Sequence, residues 1–160
     1  MMDEMVRVFE YTIQFVEQSV GDLTEEEMVG QPPGVPNHAT WTLGHLILCC
    51  QGMATEVGGE PWLPEDWESK FGYGSTPSGR QEEYRTKAEM LALLDDARGR
   101  FVETLRAADT STLHRALEDE TFPTMFDLLL QVVLAHTAYH AGQLAVWRRA
   151  MGRESAAVFI

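Results

Sequence analysis

The chain has 160 residues, 44% hydrophobic and 23% charged, a length and balance that suit one domain, 1–160, with a sizeable core. Its formal net charge of −13 repels phosphate backbones and anionic lipid, so neither nucleic acid nor a membrane surface is an expected partner. The opening MMDEMVRVFEYTIQF carries acids early, and apolar runs such as LILCC and LLLQVVLA fall well short of a span, which argues against a signal peptide and a transmembrane helix.

From Asp3 to about Val20, Met5, Phe9, Ile13, Val16 and Val20 recur at helical spacing and Gly21 ends the pattern, which predicts a first amphipathic helix. Thr24-Glu25-Glu26-Glu27 is a capping box opening a short helical turn, and Gln31 to Pro36 then breaks the chain. Trp41 to about Val57 predicts a second helix, capped by Thr40, closed by Gly59 and carrying His45. Its two cysteines, Cys49 and Cys50, are adjacent and cannot pair in an ordinary disulfide, so a reduced, cytoplasmic protein is expected. Residues 59–85 hold three prolines and many glycines beside Trp62, Trp67, Phe71 and Tyr73, and read either as a functional lid or crossover or as a cover for one end of the core.

Thr86-Lys87-Ala88-Glu89 is a further capping box, after which Met90, Leu94, Ala97, Phe101 and Leu105 mark a third long helix to about Ala108. The fourth spans Thr124 to Gly152, with Asp127 completing a capping box and Arg148, Arg149 and Gly152 supplying a basic last turn and a stop. Four long amphipathic helices without a convincing strand predict an all-α four-helix bundle, with a long crossover loop between helices two and three.

In the fourth helix Leu128, Val132, His136, His140 and Leu144 step by four, which puts two imidazoles on the face expected to be buried. An i, i+4 histidine pair can hold one metal ion, and a shared ion satisfies two polar rings that would otherwise be costly to bury. Core histidines hydrogen-bonded to their neighbours are the structural alternative. His45, in a stripe with Trp41, Leu48 and Gly52, would complete a three-histidine site across facing helices. His38 and His114 lack a partner at ligand spacing and are assigned to solvent or capping. Glu10, Glu17, Asp95, Asp96 and Glu103 lie outside or at the margins of the apolar stripes, so no buried carboxylate is evident for a di-iron or mixed site. Three neutral nitrogens leave a position open for water or substrate, as in catalytic zinc sites, and Cys49 is the alternative fourth ligand.

With Trp41-Thr42-Leu43-Gly44-His45-Leu46 on one helix and His136-Thr137-Ala138-Tyr139-His140-Ala141-Gly142-Gln143-Leu144 on the last, the chain resembles the DinB/YfiT-like superfamily over essentially its whole length. The resemblance implies a four-helix bundle with a long crossover that binds one divalent metal, often nickel or zinc, through His45, His136 and His140. It also implies chemistry on small molecules, since relatives include transferases using bacillithiol, mycothiol or glutathione, a thiol-dependent maleylpyruvate isomerase and proteins described as metal hydrolases. Many relatives form dimers, and the apolar tail Ala156-Ala157-Val158-Phe159-Ile160 is expected either to cover a homodimer interface or to dock within the monomer.

The leading expectation is therefore a metal-dependent S-transferase that takes a low-molecular-weight thiol as cosubstrate. Its small-molecule substrate would enter from the bundle end nearest His45 and His136, beneath Trp62 to Tyr73. Gln143 is expected either to orient a ligand or water or to be solvated, while Tyr139 is expected to face away from the site. A hydrolase using metal-bound hydroxide and a non-catalytic metal-binding or stress-associated bundle are the other readings.

Overall fold

A computed structural model describes residues 2–156 and is all helical, with an isolated bridge between Ala116 and Thr124 as the one extended pairing among them. The first helix, α1 (Met2–Gly21), buries Met5, Phe9, Ile13, Val16 and Val20, the residues its spacing selects. α2 (Glu25–Met28) opens on the Thr24 capping box, in which Glu27 N–H donates to Thr24 Oγ1 and Thr24 N–H donates to Glu27. α3 spans Ala39–Glu56 and α5 spans Lys87–Ala107, the latter opened by the Thr86 and Glu89 capping box. Between them lie α4 (Trp67–Phe71) and a 3-10 turn (Gln81–Glu83). After α6 (Thr110–Leu113), the last long stretch comprises α7 (Met125–Leu130), a π-helical turn (Gln131–His136) and α8 (Thr137–Ala150). α3 packs chiefly on α5 and α1 on α8, and one continuous apolar core runs among them. Among the described residues no helix is long and apolar enough to cross a membrane. The tail residues Ala157 to Ile160, on which the docking expectation rests, lie outside the described residues.

The segment expected to lack regular structure holds α4, because Trp67 and Phe71, four apart, bury one face of a helix too short to show a period. At the far end Gly152 has φ of 75°, and Arg153 N–H donates to Arg148 O at 2.9 Å, so the predicted glycine stop closes as a Schellman turn. The basic last turn is only half what the pattern implies. Arg149 is exposed, whereas Arg148 is 3% exposed and holds the end of α1.

The cap of α3 also differs from expectation. Thr40 is already inside the helix and its hydroxyl donates to Met28 O at 3.2 Å, while the cap is His38, whose Nδ1 accepts from Trp41 N–H at 3.1 Å. His38 Nε2 donates to Ser78 O at 3.0 Å, so one neutral imidazole both caps the helix and anchors the crossover. The ring is fully buried, which corrects the solvent half of the expectation, and burial lowers its pKa from 6.5 to about 4. The unfolded chain then takes up the proton that the folded chain refuses, so this contribution is complete above about pH 6.5 and is lost as pH falls toward 4. Between pH 7 and pH 5 the loss is on the order of 1–2 kcal/mol for one such group. His38→Asn keeps a capping acceptor that does not titrate. Urea unfolding of the metal-free protein at the two pH values should therefore show a smaller pH dependence in the variant by about that amount.

Candidate metal centre

The π-helical turn sets the stage for the two histidines of the last helix. Before it the core takes Met125, Phe126 and Leu129, within it Val133, and after it Thr137, His140, Ala141, Leu144 and Trp147. The uniform step of four is therefore interrupted, with Leu128 and Val132 only half buried. Thr137 Oγ1 donates to Val132 O, five residues back, at 3.0 Å, a bond that suits the wider turn. His140 is buried, whereas His136 stands half buried at the margin of a cavity, so one of the two rings is less enclosed than expected.

His45 approaches from α3. Its Nδ1 donates to Phe71 O at 2.7 Å, which fixes the tautomer and points Nε2 into the cavity. Trp41 stacks on the ring with centroids 4.8 Å apart and planes 9° from parallel, and Trp41 Nε1 donates to Ser75 Oγ at 2.8 Å. The carbonyl that holds His45 belongs to α4, and α4 is itself clamped to α3. Trp67 Nε1 donates to Gly44 O at 3.0 Å, and a Cβ on Gly44 would sit 2.2 Å from Phe71 Cδ1. Gly44 is thus required by close approach. Gly44→Ala should displace Phe71, cost roughly 1–3 kcal/mol by overpacking and weaken metal affinity through His45. Paired thermal melts and metal titrations check both effects.

The three Nε2 atoms converge. His136 Nε2 lies 3.3 Å from that of His45 and 3.1 Å from that of His140, and ligand nitrogens of all three fall within 4.8 Å of one another. Burial lowers the pKa of each ring, that of His140 to about 3 with help from His136 and His45, so the cluster is neutral at pH 7. Neutral imidazoles this close either share a proton or face lone pair against lone pair; a divalent cation satisfies all three at once. Tetrahedral bonds of about 2.0–2.1 Å space their nitrogens roughly 3.3–3.4 Å apart, close to the distances here. The donor set therefore fits one such ion.

Around the trio opens a cavity of about 620 Å³. Cys49 lines it with Sγ 3.7 Å from His45 Nε2, but burial pushes the thiol up to about 12, and three histidines alone form the cluster. The crossover contributes Glu68, Tyr73, Gly74 and Ser75 to the cavity while Trp67 and Phe71 enter the core, so the segment both covers the bundle and walls the site. No carboxylate is buried among the described residues, as the acidic pattern implies. Glu68 was nonetheless missed as a site residue. It is exposed, faces the cavity and acts electrostatically on His45, and only its place one residue after Trp67 could have pointed to it.

Tyr139, expected to face away, shares the cavity wall with Gln143, whose Nε2 donates to Tyr139 OH at 2.8 Å. Among the described residues Gln143 Oε1 and Nδ1 of His136 and of His140 are buried without a hydrogen bond of good geometry, although Gln143 acts on the His140 ring. His114 is exposed, at the C-terminal cap of α6 and away from this cluster.

No curated protein matches the sequence. The sequence model of the DinB superfamily does, over residues 9–144, a stretch that takes in all three histidines, α4 and the π-helical turn. On that match, and with an all-helical fold that presents three histidines able to hold a metal ion, the chain belongs to the DinB superfamily.

Proposed function

We propose that His45, His136 and His140 hold one divalent ion, nickel or zinc, and that the chain is a transferase acting with a low-molecular-weight thiol. The observation that carries the reading is the convergence of three neutral Nε2 atoms on the wall of a cavity large enough for a small molecule. When bound, the ion supplies positive charge that lowers the pKa of a thiol or of water. The remaining roles fall to the chain itself. Trp41, Leu48, Met53 and Val132 offer apolar surface beside the histidines, which suits a soft, weakly hydrated sulfur. Glu68 is the acid-base group within the cavity. Its carboxylate takes the proton of the thiol, sulfur keeps the electron pair and bonds to the electrophilic carbon, and the leaving group departs with its own pair.

The test uses metal-loaded protein with a panel of small thiols and 1-chloro-2,4-dinitrobenzene, beside p-nitrophenyl acetate without thiol. Thiol-dependent consumption of the chloroarene is the expected result. Glu68→Gln should lower it by about 10²–10⁴-fold with metal content unchanged. Ester turnover without thiol would replace the reading by a hydroxide-based hydrolase, and no turnover of either probe would leave a metal-binding protein.

A further inference from the structure

Beside the histidine cavity lies a second concavity that the proposed chemistry does not use. It holds about 560 Å³ between Gly34, Val35 and Pro36, ahead of α3, and Ala138, Gly142 and Val146, spaced four apart along α8. Among the described residues no charged side chain lines it. The two cavities share Asn37, Tyr139 and Gln143, so the trough runs up to the wall of the histidine site. Tyr139 and Val146 are 61% and 56% exposed, an apolar surface left open along one helix face.

Gly142 is the telling residue. Glycine is the least favourable helix residue after proline, yet Gly142 sits inside α8 and a Cβ there would meet no atom of the described residues within 4 Å. Packing among the described residues demands Gly44 but not Gly142. What the missing side chain provides is an open floor to the trough. On the shared wall, Gln143 Oε1 is buried and makes no hydrogen bond of good geometry among the described residues, although Gln143 acts on the His140 ring beside it.

We propose that this trough is a substrate subsite, taking the uncharged alkyl or aryl body of a molecule whose reactive end lies at His45, His136 and His140. The inference deepens the proposed function and rests on it for the reactive end. A small molecule, rather than a second copy of the chain, is favoured because the trough is concave and adjoins the histidine cavity along Asn37, Tyr139 and Gln143. A molecule extended past Tyr139 and Gln143 would place its reactive end at the histidines.

The uncharged fluorophore N-phenyl-1-naphthylamine tests the trough without metal. One probe should bind per chain, and Gly142→Trp, which fills the open floor, should weaken it at least tenfold while helical content and metal content stay unchanged. Gly142→Ala should bind the probe as the parent does. Continuity with the histidines is tested on metal-loaded protein by titration with alkyl hydroxamates from acetyl to octanoyl. Affinity should rise by up to about three- to fourfold per methylene in the parent and stay flat with chain length in Gly142→Trp. Absence of probe binding, or equal binding in Gly142→Trp, overturns the proposal. So does a dimer in sedimentation equilibrium that excludes the probe and that Gly142→Trp splits, since the face then belongs to a second copy. If no hydroxamate binds at any length, the metal reading has failed and the subsite falls with it. If acetohydroxamate binds but longer chains bind no better, the metal reading stands and the subsite alone falls.

Discussion

His136→Ala and His140→Ala should each yield a folded chain that no longer retains metal, against about one divalent ion per chain in the parent. Two nitrogens cannot replace three at a site whose donors already stand at ligand spacing. All three rings are held neutral by burial, so at pH 7 they offer lone pairs without first giving up protons. Elemental analysis of untagged, chelator-free protein reads the stoichiometry, and circular dichroism confirms that the variants fold. Removing one ring from the apo cluster relieves an unsatisfied contact, so the variants should be no less stable than the metal-free parent by more than about 1 kcal/mol. The separation appears on adding metal. Free ion at 100 times its dissociation constant stabilises the parent by about 2.7 kcal/mol, which for a domain of this size raises the melting temperature by roughly 5–11 °C. Neither variant should respond. A parent that stays metal-free after reconstitution with nickel and with zinc would make the trio a proton-sharing core cluster and remove the basis for catalysis.

How much of this was legible in the sequence depends on the length scale of each signal. The long helices announce themselves because a period of 3.6 repeats often enough over some twenty residues to be read, and α1 buries the residues its spacing selects. Capping boxes at Thr24, Thr86 and Thr124 were equally visible, since both partners lie within four residues. The three histidines were legible as a set because two share a helix and the third stands in a second apolar stripe. What stayed hidden is non-local or aperiodic. The π-helical turn shifts the buried face within a run that reads as unbroken, and no residue type marks it. His38 caps α3 through a bond that any Asx-type scan assigns to Thr40, and its second bond reaches forty residues away. Glu68 reaches the cavity wall only because α4 folds back over Gly44, a contact visible in three dimensions alone.

Arg148 is the largest such omission, and Arg148→Ala should be the most destabilising single change outside the apolar core. As the next-to-last basic residue of a helix it reads as a surface complement to the helix dipole, worth at most about 1 kcal/mol. In the fold its guanidinium donates to Ser19 O at 2.6 Å, to Asp22 Oδ1 at 2.6 Å and Oδ2 at 3.2 Å, and to Glu154 O at 3.0 Å. It thereby ties the end of α1 to α8 and to the chain beyond it. The Arg148 side chain is 4% exposed while that of Asp22 is 53% exposed, so the two partners are not equivalent. Losing the guanidinium strands the Ser19 carbonyl, empties a buried volume and unties the end of α1 and the segment after α8, for about 3 kcal/mol in all. Losing the Asp22 charge exposes little, because water screens a half-exposed carboxylate even though Arg148 holds its pKa below the usual range. Arg148→Ala should therefore lower the melting temperature by roughly 6–12 °C and Asp22→Asn by no more than about 3 °C. His140 lies eight residues, about two turns, before Arg148 and is held by other contacts. Metal content should thus survive in Arg148→Ala at temperatures where the variant is folded. Equal losses from the two variants would show that the ion pair itself, and not the buried fork of Arg148, secures this corner of the fold.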